Sequence, residues 1–240
     1  MANYKLILGH VLKFEGGCSS DPRDNALKLG NSGVLGKDAN TPSYPNNLVH
    51  TCKGVIWATY VFYCKKVGKK PNPQEFVKMP LPLFEDIVKK LYWDSLYLDT
   101  LKSQAIAEFL FDMVWGSGLG GIKGQVRDLQ NFLISKKVDV VNGADGGFGK
   151  NTITALNNYV KTKAREKEVI DVLYASRSKF LKGLEDTGSY GRGWLRRLDE
   201  LTARAYSLIG ETAKKPIVKI GAILLIGVSG FFLYKGLKKA

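Results

Sequence analysis

Apolar side chains recur at helical spacing along most of the chain. Leu6, Ile7, His10, Val11 and Phe14 fall on one face of a predicted N-terminal helix. Ala105, Ile106, Phe109, Leu110, Met113 and Val114 form a second stripe; Ile122, Val126, Leu129, Phe132 and Leu133 form a third. Longer helical patterns run over 150–184 and 193–209, and strict alternation, the mark of a half-buried strand, is scarce. Residues 18–50 break the trend. Gly, Pro, Asn and Ser occur throughout, which predicts a long loop or a small irregular lobe. Loops of that length in compact domains are functional or disordered. The pattern predicts a mainly α fold with one irregular lobe and no internal repeat.

One stretch is apolar on every side. Ile220 to Tyr234 carries no charge. Fifteen helical residues span roughly 22 Å, short of the roughly 30 Å core of a bilayer. Ile217 and Val218 extend the stretch, with Lys219 snorkelling to the interface. Residues 217–235 are therefore a predicted transmembrane helix, anchoring the chain to a membrane through a single C-terminal span. Lys214, Lys215 and Lys219 precede it, and Lys235, Lys238 and Lys239 follow, so the positive-inside rule selects no orientation. The N-terminus has too short an apolar run, and no cationic start, to be expected as a secretory signal.

Composition narrows the classes. With 45% hydrophobic and 24% charged residues, the chain is neither collagen-like, low-complexity nor wholly disordered. A net charge of +14 implies an anionic partner: nucleic acid, a membrane surface or a polyanionic wall. Removing the six lysines around the apolar stretch leaves about +8 on residues 1–213. No basic helix, zinc spacing or aromatic–basic motif accompanies the charge, so no nucleic-acid partner is expected. Three cysteines, Cys18, Cys52 and Cys64, make an odd number, form no expected disulfide framework and point to a reduced folding compartment. Two histidines, His10 and His50, give no His-rich metal site, and no cofactor is expected. No Cys or His follows Cys64, which argues against a Cys–His amidase or endopeptidase.

Four segments could carry chemistry. Phe14-Glu15-Gly16-Gly17 ends a helix with a carboxylate beside open space. A glutamate at the apolar end of a helix is partly desolvated and suited to hold a proton for a leaving group. Asp24 follows nine residues later, and such carboxylate pairs serve glycoside hydrolysis; read alone, the Asp-Pro and Asp-Asn surroundings are turn formers. Thr51-Cys52-Lys53-Gly54-Val55 offers a hydroxyl for a water or substrate group, or a helix cap. Asp145-Gly146-Gly147-Phe148-Gly149 reads as a glycine-rich turn before a helix; it lacks the alternating oxygen ligands and closing glutamate of a calcium loop.

In this order, Glu-Gly-Gly, Asp and Thr-x-Lys-Gly-Val resemble the glycoside hydrolase family 108 N-acetylmuramidases, a phage- and prophage-type lysozyme family. Phe111-Asp112-Met113-Val114-Trp115-Gly116-Ser117-Gly118 is similar to that family's Asp-x-x-x-Asn-x-Gly helix end. Leu129-Gln130, Asp145-Gly146, Gly149, Thr152, Arg177 and Gly193-Trp194-Leu195-Arg196-Arg197 resemble its C-terminal peptidoglycan-binding segment. The resemblance covers roughly residues 5–205. It implies a lysozyme-like helical region over 1–120, a helical peptidoglycan-binding segment over 121–210, and a monomer. It also implies hydrolysis of the β-1,4 bond between N-acetylmuramic acid and N-acetylglucosamine, with Glu15 as general acid and Asp24 and Thr51 holding water or stabilising charge. Trp57, Tyr60, Asp112 and Trp115 are candidate substrate contacts, with Trp93 a further stacking candidate. A phage or prophage endolysin acting on the host envelope is the implied setting. The alternative is a non-catalytic wall-binding or virion component of the same fold. The chain departs from the family twice. Residues 25–49 look like an insertion between Asp24 and Thr51, which makes Asp21 a competitor for Asp24. Trp115 also stands where the family has asparagine.

Overall fold

The computed structural model describes residues 1–19, 49–185 and 191–212. The expected transmembrane stretch, 217–235, lies outside them. Among the described residues no single helix is long and apolar enough to cross a membrane. The fold is mainly α with a small antiparallel sheet, and the chain packs into two compact units.

The first unit holds the described residues between 4 and 95, namely 4–19 and 49–95. Helix α1 (Lys5–Phe14) leads into strand β1 (Cys18–Ser19). Strands β2 (Thr51–Cys52) and β3 (Val55–Ile56) complete a three-stranded sheet of order β1-β2-β3. Helices α2 (Trp57–Lys66), α3 (Pro73–Lys78) and α4 (Leu81–Ile87) follow, and α4 runs into a π-helical stretch, Val88–Trp93. Helix α3 starts where the sequence instructs it. Asn72 Oδ1 accepts from Gln74 N at 2.9 Å and Glu75 N at 3.3 Å, and Pro73 occupies the first turn, where its missing N–H costs nothing. The core of this unit joins Ile7, Leu8 and Val11 of α1 to Trp57, Tyr60, Phe76, Phe84, Ile87 and Trp93. The α1 stripe differs from expectation at two positions. Leu6 is 53% exposed, whereas Leu8 is buried. The arcs that begin at Leu6 and at Ile7 overlap on a helix, and packing rather than periodicity chooses between them.

The second unit holds residues 1–3 and the described residues from 96 to 212. It contains α5 (Gln104–Gly121, kinked at Gly118), α6 (Lys123–Ser135), α7 (Lys150–Tyr159), α8 (Lys163–Glu185) and α9 (Gly191–Leu208). The pattern over 150–184 is thus two helices broken near residues 160–162. Ser103 caps α5 by accepting from Ile106 N at 3.0 Å. The ten residues Ala105–Val114 are all buried. A helix enclosed on every side belongs to the centre of a bundle, and α8 and α9 supply the surrounding packing. This is why α5 groups with the C-terminal helices, and why the compact units divide at 95/96 whereas the sequence regions divide at 120/121.

Candidate active site

Glu15 closes α1. Its backbone N–H donates to Val11 O at 3.1 Å, and its φ/ψ of −92°/124° turns the chain from helix to extended. The residue is half-buried. A Cβ built at Gly16 or Gly17 would meet no atom of the described residues within 4 Å.

Thr51 lies on the middle strand, opposite Ser19 on one side and Ile56 on the other. Two further hydrogen bonds join this hairpin to the segment after Glu15. Lys53 N donates to Gly17 O at 3.1 Å, and His50 N donates to Ser19 O at 3.1 Å. Between β2 and β3, Lys53 and Gly54 both adopt positive φ, 46° and 76°. A two-residue loop of that kind is a type I′ turn, whose twist suits a hairpin. Glycine accepts the conformation freely; Lys53 is held in it while its Nζ donates to Met79 O at 2.8 Å. The Lys-Gly of the Thr-x-Lys-Gly-Val motif is therefore the turn that sets Thr51 in register.

A covalent bond reinforces the arrangement. Cys18 and Cys52 face each other across β1 and β2 and form a disulfide, while Cys64 is free and buried. This corrects the expectation that the odd cysteine count leaves no disulfide. Parity cannot see register, and the pairing sets the two cysteines directly opposite.

Two neighbours of the expected catalytic residues escaped the sequence reading. His50 is 1% exposed, and its Nδ1 lies 2.8 Å from Thr51 Oγ1. Tyr92 sits on the π-helical stretch, a feature often found at functional sites. Burial pushes its hydroxyl up to about 12; a hydrogen bond with Thr59 opposes this, and the nearby Glu15 charge adds to it. The sequence did carry signals for some of this. His50 adjoins Thr51, Cys52 follows it, and Cys18 comes three residues after Glu15.

The remaining candidates are placed as follows. Asp24 and Asp21 lie outside the described residues, with most of the 25–49 insertion. Trp57, Tyr60 and Phe76 form an aromatic cluster with ring centroids 5.1–5.4 Å apart. Trp57 and Tyr60 are 1% and 0% exposed. Tyr60 donates to Glu75 Oε2 at 2.5 Å. Both rings, like the fully buried Trp93, are core residues and offer no face to a sugar in this structure. Burial of an amphipathic ring cannot be read from residue type alone.

In the second unit, Asp112 is buried and accepts from Arg197 Nε at 2.7 Å, with Arg197 Nη2 2.6 Å away in the same ion pair. Its carboxylate thus serves an ion pair between α5 and α9. Trp115 is half-exposed and stacks on Phe111 with ring centroids 6.0 Å apart. Arg177 braces the same helix end. Its Nη1 donates to Ser117 Oγ at 2.8 Å, and a Cβ at Gly116 would lie 2.9 Å from its Nη2. Burial lowers the Arg177 guanidinium to about 10, with Asp112 opposing the shift and Arg197 adding to it. Among the described residues no three His, Cys, Asp or Glu side chains are grouped to hold a metal ion.

The stretch from α1 through the hairpin to the kink of α5 matches a known family model, described as glycosyl hydrolase 108, over residues 8–118. Those residues belong to the glycosyl hydrolase 108 family. The matched region includes Glu15, Thr51, Asp112 and Trp115 and carries a glycoside hydrolase domain. The solved structure of SagA from Brucella abortus is similar over 88% of this chain and 97% of its own, with a TM-score of 0.57 and 23% identity. At that identity the likeness is one of fold. No curated protein matches the chain.

Proposed function

We propose that the chain is an N-acetylmuramidase that cleaves the β-1,4 bond between N-acetylmuramic acid and N-acetylglucosamine in peptidoglycan. One observation carries the reading. The glycosyl hydrolase 108 match covers a hairpin that hydrogen bonds and a disulfide tie to the loop after Glu15, with Thr51 on its central strand. Glu15 acts as general acid, giving its proton to the glycosidic oxygen as the bond to the anomeric carbon breaks. A water held by Thr51 and Asp24 attacks that carbon and gives up a proton to the carboxylate, with Asp21 the alternative second carboxylate. The basic charge of residues 1–213 concentrates the enzyme on an anionic wall. Residues 121–210 add wall contacts, and 217–235 keep the enzyme at a membrane.

The bond is tested by its products. Digested peptidoglycan is reduced with borohydride and its fragments are analysed by mass spectrometry. Reduced N-acetylmuramic acid at the new ends is the expected result. Reduced N-acetylglucosamine ends would identify a glucosaminidase instead. Intact glycan that nevertheless retains bound protein would favour the non-catalytic wall-binding reading.

A further inference from the structure

We propose that His50 is a positioning residue that fixes the Thr51 hydroxyl as a hydrogen-bond acceptor for the attacking water. The inference rests on the muramidase reading and deepens it. It starts from a property of threonine. A hydroxyl has one proton and two lone pairs, and its proton rotates to suit whatever lies nearby. A half-exposed threonine could therefore hold a water in either of two senses. As a donor, it would engage one of the water's two lone pairs and leave only the other for attack. As an acceptor, it takes a water hydrogen and leaves the water's lone pair free to face the anomeric carbon.

The geometry around His50 supplies the second sense when the imidazole proton sits on Nε2. Its Nδ1 lies 2.8 Å from Thr51 Oγ1. The ring cannot swing away, because the residue is 1% exposed and its backbone is pinned at both ends. The His50 N–H donates to Ser19 O at 3.1 Å, and the His50 carbonyl accepts from Trp57 N at 2.9 Å. Thr51 is pinned as well, on the central strand between Ser19 and Ile56. With the imidazole proton on Nε2, Nδ1 accepts the Thr51 O–H, and the Thr51 oxygen is left to accept from water. The residue lies one position before the Thr-x-Lys-Gly-Val pattern.

The bond and its use are tested separately. The chain has only two histidines, so nitrogen NMR of the full-length protein labelled with 15N-histidine shows two rings. A His10→Gln variant assigns them. The expected His50 signal is that of a neutral ring protonated at Nε2, with an Nδ1 resonance that moves in Thr51→Val. A protonated Nδ1, or a resonance indifferent to Thr51→Val, overturns the proposal.

Kinetics on peptidoglycan then test the use. His50→Asn keeps an acceptor near the Nδ1 position and retains kcat to within about threefold, whereas His50→Leu lowers kcat by about tenfold or more with KM unchanged. In a Thr51→Val background, His50→Leu costs nothing further. Equal losses in the Asn and Leu variants, or a His50→Leu loss that persists without the hydroxyl, overturn the positioning role. A wild type that leaves the glycan intact removes the reaction itself, and the nitrogen spectrum then separates that failure from failure of the hydrogen bond.

Discussion

Glycine at position 146 is required by its surroundings and not by its neighbours in sequence. Its φ is +78°, and a Cβ there would lie 2.7 Å from the Lys123 carbonyl oxygen. Its N–H donates to Gln130 Oε1 at 2.7 Å, while Gln130 Nε2 reaches Asp145 Oδ1 at 2.8 Å and Gly147 O at 3.0 Å. Gly146→Ala adds backbone strain and a backbone clash together. It should cost roughly 1–3 kcal/mol, read as a lower urea midpoint with unchanged slope. The Asp-Gly-Gly turn was legible because glycine and aspartate are turn residues wherever they occur. The buried amide that organises it was not, since Gln130 meets the turn only through the fold. The same holds for His50. Its adjacency to Thr51 is visible in the sequence, but the enclosure of its ring is a tertiary fact.

At the scale of elements, α5 carries two carboxylates through the middle of a bundle. Glu108 and Asp112 lie one turn apart, and α9 meets them with Arg204 and Arg197. Arg204 binds Glu108 through Nε at 2.5 Å and Nη2 at 2.9 Å, and Glu108 is 1% exposed. Removing one partner of such a pair leaves a buried charge. Arg204→Leu should destabilise by about 3–5 kcal/mol, and Glu108→Leu in the same chain should recover most of the loss. Chemical denaturation of both variants checks this; equal stability of the single and double variants would contradict it. The apolar stripes of α5 and α6 were legible because the residues that recur at helical spacing are the residues that pack. The two carboxylates on α5 were not legible as ion-paired, because their partners lie some 85 and 96 residues away.

The short sheet depends on its staple. Two-residue strands have few ladder bonds, and the Cys18–Cys52 disulfide spans a sequence separation of 34. Closing a loop of that size stabilises by roughly 3–4 kcal/mol in the chain-entropy account. Thiol reductant should therefore lower the melting temperature of the wild type and leave a Cys18→Ser/Cys52→Ser variant unmoved. A wild type indifferent to reductant would show that the hairpin holds without the bond.

For the whole molecule, a mainly α architecture was legible from periodicity, because helical stripes dominate the chain and strand alternation is nearly absent. The small sheet was not, since two-residue strands are too short to show alternation. The grouping of α5 with the C-terminal helices also escaped, because a helix buried on all sides shows little amphipathic contrast to say which neighbours it joins. Motif order brought out the glycosyl hydrolase 108 region over residues 8–118. The central claim is that Glu15 is the acid of a muramidase. Its most direct test is the clearing of purified peptidoglycan by the full-length protein, wild type beside Glu15→Gln, with new reducing ends counted. The account predicts clearing and new ends for the wild type and a loss of about a hundredfold or more in the variant. Equal clearing by both proteins would contradict it.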